Sequence, residues 1–118
     1  MNERPLIWMG SSKRDLLTFP EPIVREIGFA LSWAQFGRKH SAAKQRKGVG
    51  ARVLEIVEDF DGNAYRAVYT VFERAVYVLH CFQKKSPTGI KTARPDVEMV
   101  RKRLAAAEAD YEERHGQA

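Results

Sequence analysis

Cysteine is nearly absent from this 118-residue chain, with Cys81 the only one. A single thiol excludes an internal disulfide framework and a Cys-based metal site. Long hydrophobic runs are missing as well. The longest uncharged stretch, Ile27 to Gly37, is far too short to cross a bilayer. No basic-then-apolar segment opens the chain, because Glu3 and Arg4 precede Leu6 and Trp8. A cytoplasmic protein without a membrane partner is expected. Histidine is scarce: His40, His80 and His115 have no Cys or acid at ligand spacing, which points away from a metal centre. Gly-rich phosphate loops and Ser-His-Asp patterns are absent, so no cofactor and no small-molecule substrate are expected.

What is present is ordinary globular composition, 44% hydrophobic and 30% charged. The length fits one domain over residues 1–118, with a short frayed tail. Charge is unevenly placed within a net of +5. Arg38, Lys39, Lys44, Arg46, Lys47 and Arg52 form one acid-free window, and Lys84, Lys85, Lys91 and Arg94 form another. Those two windows hold ten of the twenty basic residues and none of the fifteen acids. Such polarised charge attracts polyanions through phosphate neutralisation and counterion release. The bland alternative is a pair of solvated loops.

Periodicity predicts the elements. Leu6 to Met9 reads as a first short strand. Ser12 with Asp15 three residues on reads as a helix start. A second helix begins around Pro22, with Ile23, Ile27, Ala30 and Ala34 on one face and Gly37 as its cap. Three strand-like runs follow, Val53–Phe60, Ala64–Phe72 and Ala75–Phe82, the first pair joined by the tight-turn signal Asp61-Gly62. The last element is a helix from about Pro95 to Arg114, with Val97, Val100, Leu104, Ala107 and Tyr111 as its apolar stripe. The expected class is α+β: a curved antiparallel sheet, two N-terminal helices on one face, the other face partly open, and a C-terminal helix.

Alternation along strands places Arg66 with Val68 and Thr70, and His80 with Phe82 and Lys84. An arginine, a histidine and a lysine therefore converge on one rim of the sheet. Metal-free RNA cleavage needs a base for the 2′-hydroxyl, a donor to the leaving oxygen, and cations on the phosphate. Arg holds a phosphate bidentately and Lys acts as a point charge. Phe82 is a candidate for stacking a splayed base. The competing reading makes Arg66 the ion-pair partner of Glu55 or Glu58 across the hairpin, His80 a packed strand residue and Cys81 a small core residue.

Several blocks resemble a known family. They are Met9-Gly10-Ser11-Ser12-Lys13-Arg14-Asp15-Leu16, Gly50 to Ile56, Tyr65 to Val71, and Ala75 to His80. Phe82-Gln83-Lys84-Lys85-Ser86 followed by Gly89-Ile90-Lys91-Thr92 is the most specific of them, and Arg101-Lys102-Arg103-Leu104 fits too. Together they resemble a phage-derived branch of the RelE/HigB toxins in the RelE/ParE superfamily. The resemblance implies the toxin half of a type II toxin–antitoxin pair that cleaves mRNA on the ribosome without metal. It implies a helix-turn-helix antitoxin, the ribosome and mRNA as partners. The functional block carries over as Arg66, Lys84, Lys85 and Lys91, with His80, as candidate catalytic residues. Lys44, Arg46, Lys47, Arg52 and Phe82 are the candidate RNA-binding residues. The RelE-type pattern also places an Arg and a Tyr near the chain end, whereas this chain closes in a long helix. Two rival functions stay open: a ParE-like gyrase inhibitor that is not a nuclease, and a non-toxic phage-derived interaction module.

Overall fold

The computed structural model describes residues 3–46, 48–50, 52–84 and 94–116. Its elements run β1 (Leu6–Trp8), α1 (Ser12–Leu16), α2 (Glu21–Gln35), β2 (Ala43–Gln45), β3 (Val53–Phe60), β4 (Asn63–Val71), β5 (Val76–Lys84) and α3 (Arg94–His115). Five strands form one sheet in the order β1-β5-β4-β3-β2. All neighbours are antiparallel except β1, which lies parallel to β5. That pairing is possible because α1, α2 and the β2–β4 meander intervene, and a parallel pair needs a long crossover.

Local chemistry explains most boundaries. Asp61 and Gly62 both take positive φ, 54° and 82°, as the two-residue hairpin between β3 and β4 demands. Gly37, at φ 80°, closes α2, and the Arg38 N–H reaches back to the Trp33 carbonyl at 2.8 Å. The start of α1 differs from expectation by one residue. Ser11, not Ser12, precedes the helix, and its hydroxyl donates to Asp15 Oδ2 at 2.7 Å. Ser12 is fully buried and donates instead to the Val78 carbonyl, tying α1 to β5.

The α2 stripe Ile23, Ile27, Ala30 and Ala34 is buried with Leu31 against Ile56, Ala67, Tyr69, Val78 and Cys81 on one sheet face. Each fully buried large aliphatic here contributes about 1.5–3 kcal/mol relative to exposure. Gly28 sits inside α2 on the solvent side, where a Cβ would meet nothing within 4 Å. It costs about 1 kcal/mol relative to alanine and has no packing reason among the described residues.

The second sheet face is less open than expected. Helix α3 lies across it, burying Val100, Leu104 and Ala107 against Val53, Val68, Tyr77, Leu79 and Phe82. The sheet is thus sandwiched between helices on both faces, with α3 covering part of the face that carries Arg66. Strand β5 carries a bulge beneath α3. Val68 pairs with His80 but Tyr69 pairs with Val78, so Leu79 is an extra residue. Its carbonyl accepts from Arg103 Nη1 of α3 at 3.0 Å, and Arg103 Nη2 also donates to Ser11 Oγ.

Candidate nucleic-acid-cleaving face

Register places the chemistry. Residues directly opposite in adjacent strands share a face. Lys44 of β2 faces Glu55 of β3, Val57 faces Arg66 of β4, and Arg66 faces Phe82 of β5. Lys44, Glu55, Arg66, His80, Phe82 and Lys84 therefore lie on one side of four strands. The expected convergence of Arg66, His80 and Lys84 is present.

At its centre is Glu55, buried at 7% exposure. Its Oε2 accepts from Arg66 Nη1 at 2.8 Å, and its Oε1 lies 3.6 Å from Arg46 Nη1. The open choice between Glu55 and Glu58 as partner of Arg66 resolves to Glu55. One carboxylate thereby gathers two guanidiniums, Arg66 from β4 and Arg46 from just past the end of β2. Arg66 Nε and Lys84 Nζ are shielded from solvent and have no hydrogen-bond partner among the described residues. Burial, then the Arg66 charge, pushes the Lys84 ammonium below the usual lysine range; Arg46 adds to this and Glu55 opposes it. Three cations gather near one carboxylate here, an excess of two positive charges among the described residues.

Beside this cluster, His80 Nε2 lies 2.7 Å from Asp96 Oδ1, in the first turn of α3. Its ring stacks on Phe82 at a centroid distance of 4.8 Å. His80 Nδ1 is shielded and unpartnered among the described residues. Phe82 is itself buried in the α3 core, so its ring supports His80 rather than standing free.

The remaining expected site residues are placed unevenly. Lys44 is exposed on β2. Arg46 is half-buried and belongs to the Glu55 cluster, closer to Arg66 than a docking role implies. Arg52 is exposed just before β3, at the sheet end where Val53 faces Thr70, and is not brought to the cluster. Lys47, Lys85 and Lys91 lie outside the described residues. Sequence reasoning weighed Glu55 as a partner of Arg66 and Arg46 as a docking residue; that one carboxylate holds both arginines is what it missed. The signal was there in part: an acid in the first half of Val53–Phe60, three residues after Arg52 closes the acid-free window.

Among the described residues no group of three or more His, Cys, Asp or Glu side chains could hold a metal ion. Likewise, no helix among them is long and apolar enough to cross a membrane. The chemistry available on this face is charge: oriented cations for an anion, and amino and imidazole groups for proton transfer.

No curated protein matches the chain. A family model described as "Phage derived protein Gp49-like (DUF891)" matches residues 14–105. That span includes α2, every strand from β2 to β5 and the Glu55–Arg66–Lys84 cluster. The chain belongs to this phage-derived Gp49-like family, a RelE-like toxin family of toxin–antitoxin systems.

Proposed function

We propose that the protein is the toxin of a type II pair and acts as a ribosome-dependent, metal-independent mRNA endonuclease. One observation carries the reading. Arg46 and Arg66 hold a single buried carboxylate, Lys84 feels its charge, and Arg66 Nε and Lys84 Nζ have no hydrogen-bond partner among the described residues. A phosphodiester brings one negative charge, and the pentavalent intermediate of its cleavage brings a second. The cluster's excess of two positive charges matches the latter better than the ground state, which is the condition for catalysis.

In this reading Arg66 holds the scissile phosphate and Glu55 holds Arg66 and Arg46 in place. Lys84, with its lowered affinity for a proton, neutralises the phosphate or relays the proton of the 2′-hydroxyl. Lys44 lies on the same face, where it positions RNA backbone. A helix-turn-helix antitoxin is the cognate partner.

The test is purified protein added to translating ribosomes with a reporter mRNA and a chelator, with cuts mapped by primer extension. Discrete cuts that require ribosomes and survive chelation are expected. Intact mRNA alongside inhibited gyrase supercoiling would replace this reading with the ParE-like one.

A further inference from the structure

One end of the sheet carries a second basic site. There β2 finishes at Gln45, β3 begins at Val53 and β4 finishes at Val71. Val53, Leu54 and Val71, with Lys39, Gln45 and Arg52, line a groove of about 330 Å³. That is room for one small ligand, at the lower end of the usual pocket range of about 300–1,000 Å³. Three aliphatic side chains supply its apolar wall, two cations stand beside them, and no acid lines it.

Both cations are exposed, and neither has an acid in ion-pair distance among the described residues. Glu108 of α3 shares an adjoining cavity with Arg52 and Val53 but does not pair with Arg52. The backbone around them is held. Buried Thr70 donates to the Arg52 carbonyl at 3.0 Å, and the Arg46 N–H donates to the Val53 carbonyl at 2.7 Å. The groove also adjoins the cationic cluster. Gln45 lines the groove, while the guanidinium of the next residue, Arg46, lies 3.6 Å from Glu55. Arg52 precedes Glu55 by three residues, about 10 Å of extended chain.

We infer that this groove is a subsite for one nucleotide of single-stranded RNA, flanking the nucleotide whose phosphate meets Arg66. Lys39 and Arg52 take its phosphate, and its base lies against Val53, Leu54 and Val71. A nucleotide joins a charged group to a flat, weakly polar ring, and the groove offers a surface for each. Two acid-free groups of cations, a short stretch of strand apart, match the repeated charges of one polyanion better than a single anion. Contacts to phosphate and ring face position a strand without reading its sequence. Arg52 and Lys39, which stand off the cluster, thus guide the strand toward it. The inference rests on the nuclease reading for the identity of that strand.

Fluorescence anisotropy of a short, labelled single-stranded oligoribonucleotide on the full chain, over a salt series, measures the subsite. Combining Lys39→Ala with Arg52→Ala should weaken binding about tenfold and flatten the slope of log K against log salt by about 1.4, the share of two phosphate contacts. Combining Lys13→Ala with Arg14→Ala removes the same charge from exposed positions on α1 and should change neither. Circular dichroism is the fold control for both. An oligomer without bases should bind the wild-type chain severalfold more weakly, because it leaves the apolar wall bare. On ribosomes the groove variant should raise the KM for mRNA cleavage with little change in kcat. An unchanged slope in the groove variant, or an equal loss in the α1 variant, overturns the inference. So does an oligomer without bases that binds as tightly as the intact one. Groove-dependent RNA binding by a wild-type chain that cleaves nothing upholds the subsite and removes the nuclease reading instead. A groove variant that keeps its RNA slope and loses only its antitoxin overturns the subsite and gives the groove to an acidic protein segment.

Discussion

Arg66 and Glu55 stand on adjacent strands, two residues out of register, and meet at 2.8 Å through one guanidinium nitrogen and one carboxylate oxygen. The same carboxylate reaches Arg46 with its other oxygen. A buried acid thus fixes two cations without cancelling both. Removing either partner has two separable consequences, one for folding and one for chemistry.

Arg66→Ala is expected to abolish toxicity and ribosome-dependent mRNA cleavage. It should also lower stability by about 1–3 kcal/mol, because Glu55 stays buried with only the longer contact to Arg46. Arg66→Lys should regain most of the stability and little of the activity, since an ammonium lacks the planar fork. Denaturant titration beside a cleavage assay separates the two effects. Wild-type cleavage by Arg66→Ala would remove the phosphate clamp from this face.

Lys84→Met should stabilise the protein while disabling it. A lysine whose folded pKa lies below its unfolded 10.5 opposes folding whenever it is protonated in both states. The penalty is complete below the lowered folded value and fades as pH rises through it toward the unfolded value. Melts from neutral to alkaline pH should therefore show a gain for Lys84→Met that shrinks with pH. A gain that grows with pH would contradict the burial of this ammonium.

The His80–Asp96 contact fastens the first turn of α3 to β5. Asp96→Asn and His80→Ala should each cost about 1–3 kcal/mol by loosening that turn and exposing Phe82. Both should retain more cleavage than Arg66→Ala. Hydrogen exchange at residues 94–100 should rise in both variants while the β3–β4 hairpin stays protected. If His80→Ala is as dead as Arg66→Ala but melts as wild type, the imidazole belongs to the chemistry.

Gly10→Ala tests how α3 is seated. Gly10 has φ 53°, and an added Cβ would lie 2.7 Å from the Arg103 guanidinium. The strained backbone costs about 1–2 kcal/mol, and displacing Arg103 adds the loss of its bond to the Leu79 carbonyl. A melting temperature lower by several degrees is expected. An unchanged melt would mean that the guanidinium moves aside freely.

Cys81 supplies a control on the core. Burial pushes its thiol up to about 12, so alkylation of the folded protein should be negligible and should appear only with denaturant. Rapid labelling at neutral pH would show that β5 opens.

The legible parts of this fold were the periodic ones. The α2 stripe, the Asp61-Gly62 hairpin and the alternation that groups Arg66 with His80 and Lys84 depend on local repeats, and all three stand in the structure. Strand β2 was illegible because Ala43-Lys44-Gln45 is three residues of weak β-propensity, recruited by pairing with β3. With β2 unseen, Arg46 could not be placed beside Arg66. The layer occupied by α3 was hidden for another reason: a stripe at helical spacing says that a face is buried, not against which side of a sheet. The choice of Glu55 over Glu58 needed the register, in which Glu58 pairs with Tyr65 and falls on the α2 face.

The extra residue Leu79 divides β5 into two stretches of opposite phase. Before it, Tyr77 points at α3; after it, His80, Phe82 and Lys84 do, though their numbers have the other parity. Were Leu79 taken into regular alternation instead of bulging, Cys81 and Gln83 would turn toward the cationic face and His80 and Lys84 would be driven into the α2 core. Because Arg103 ties off the displaced carbonyl, the helix that covers one half of the strand also holds the phase of the other. The cationic cluster is therefore indexed to the seating of α3, and any change that flattens the bulge would scramble it while leaving every one of its residues in the sequence.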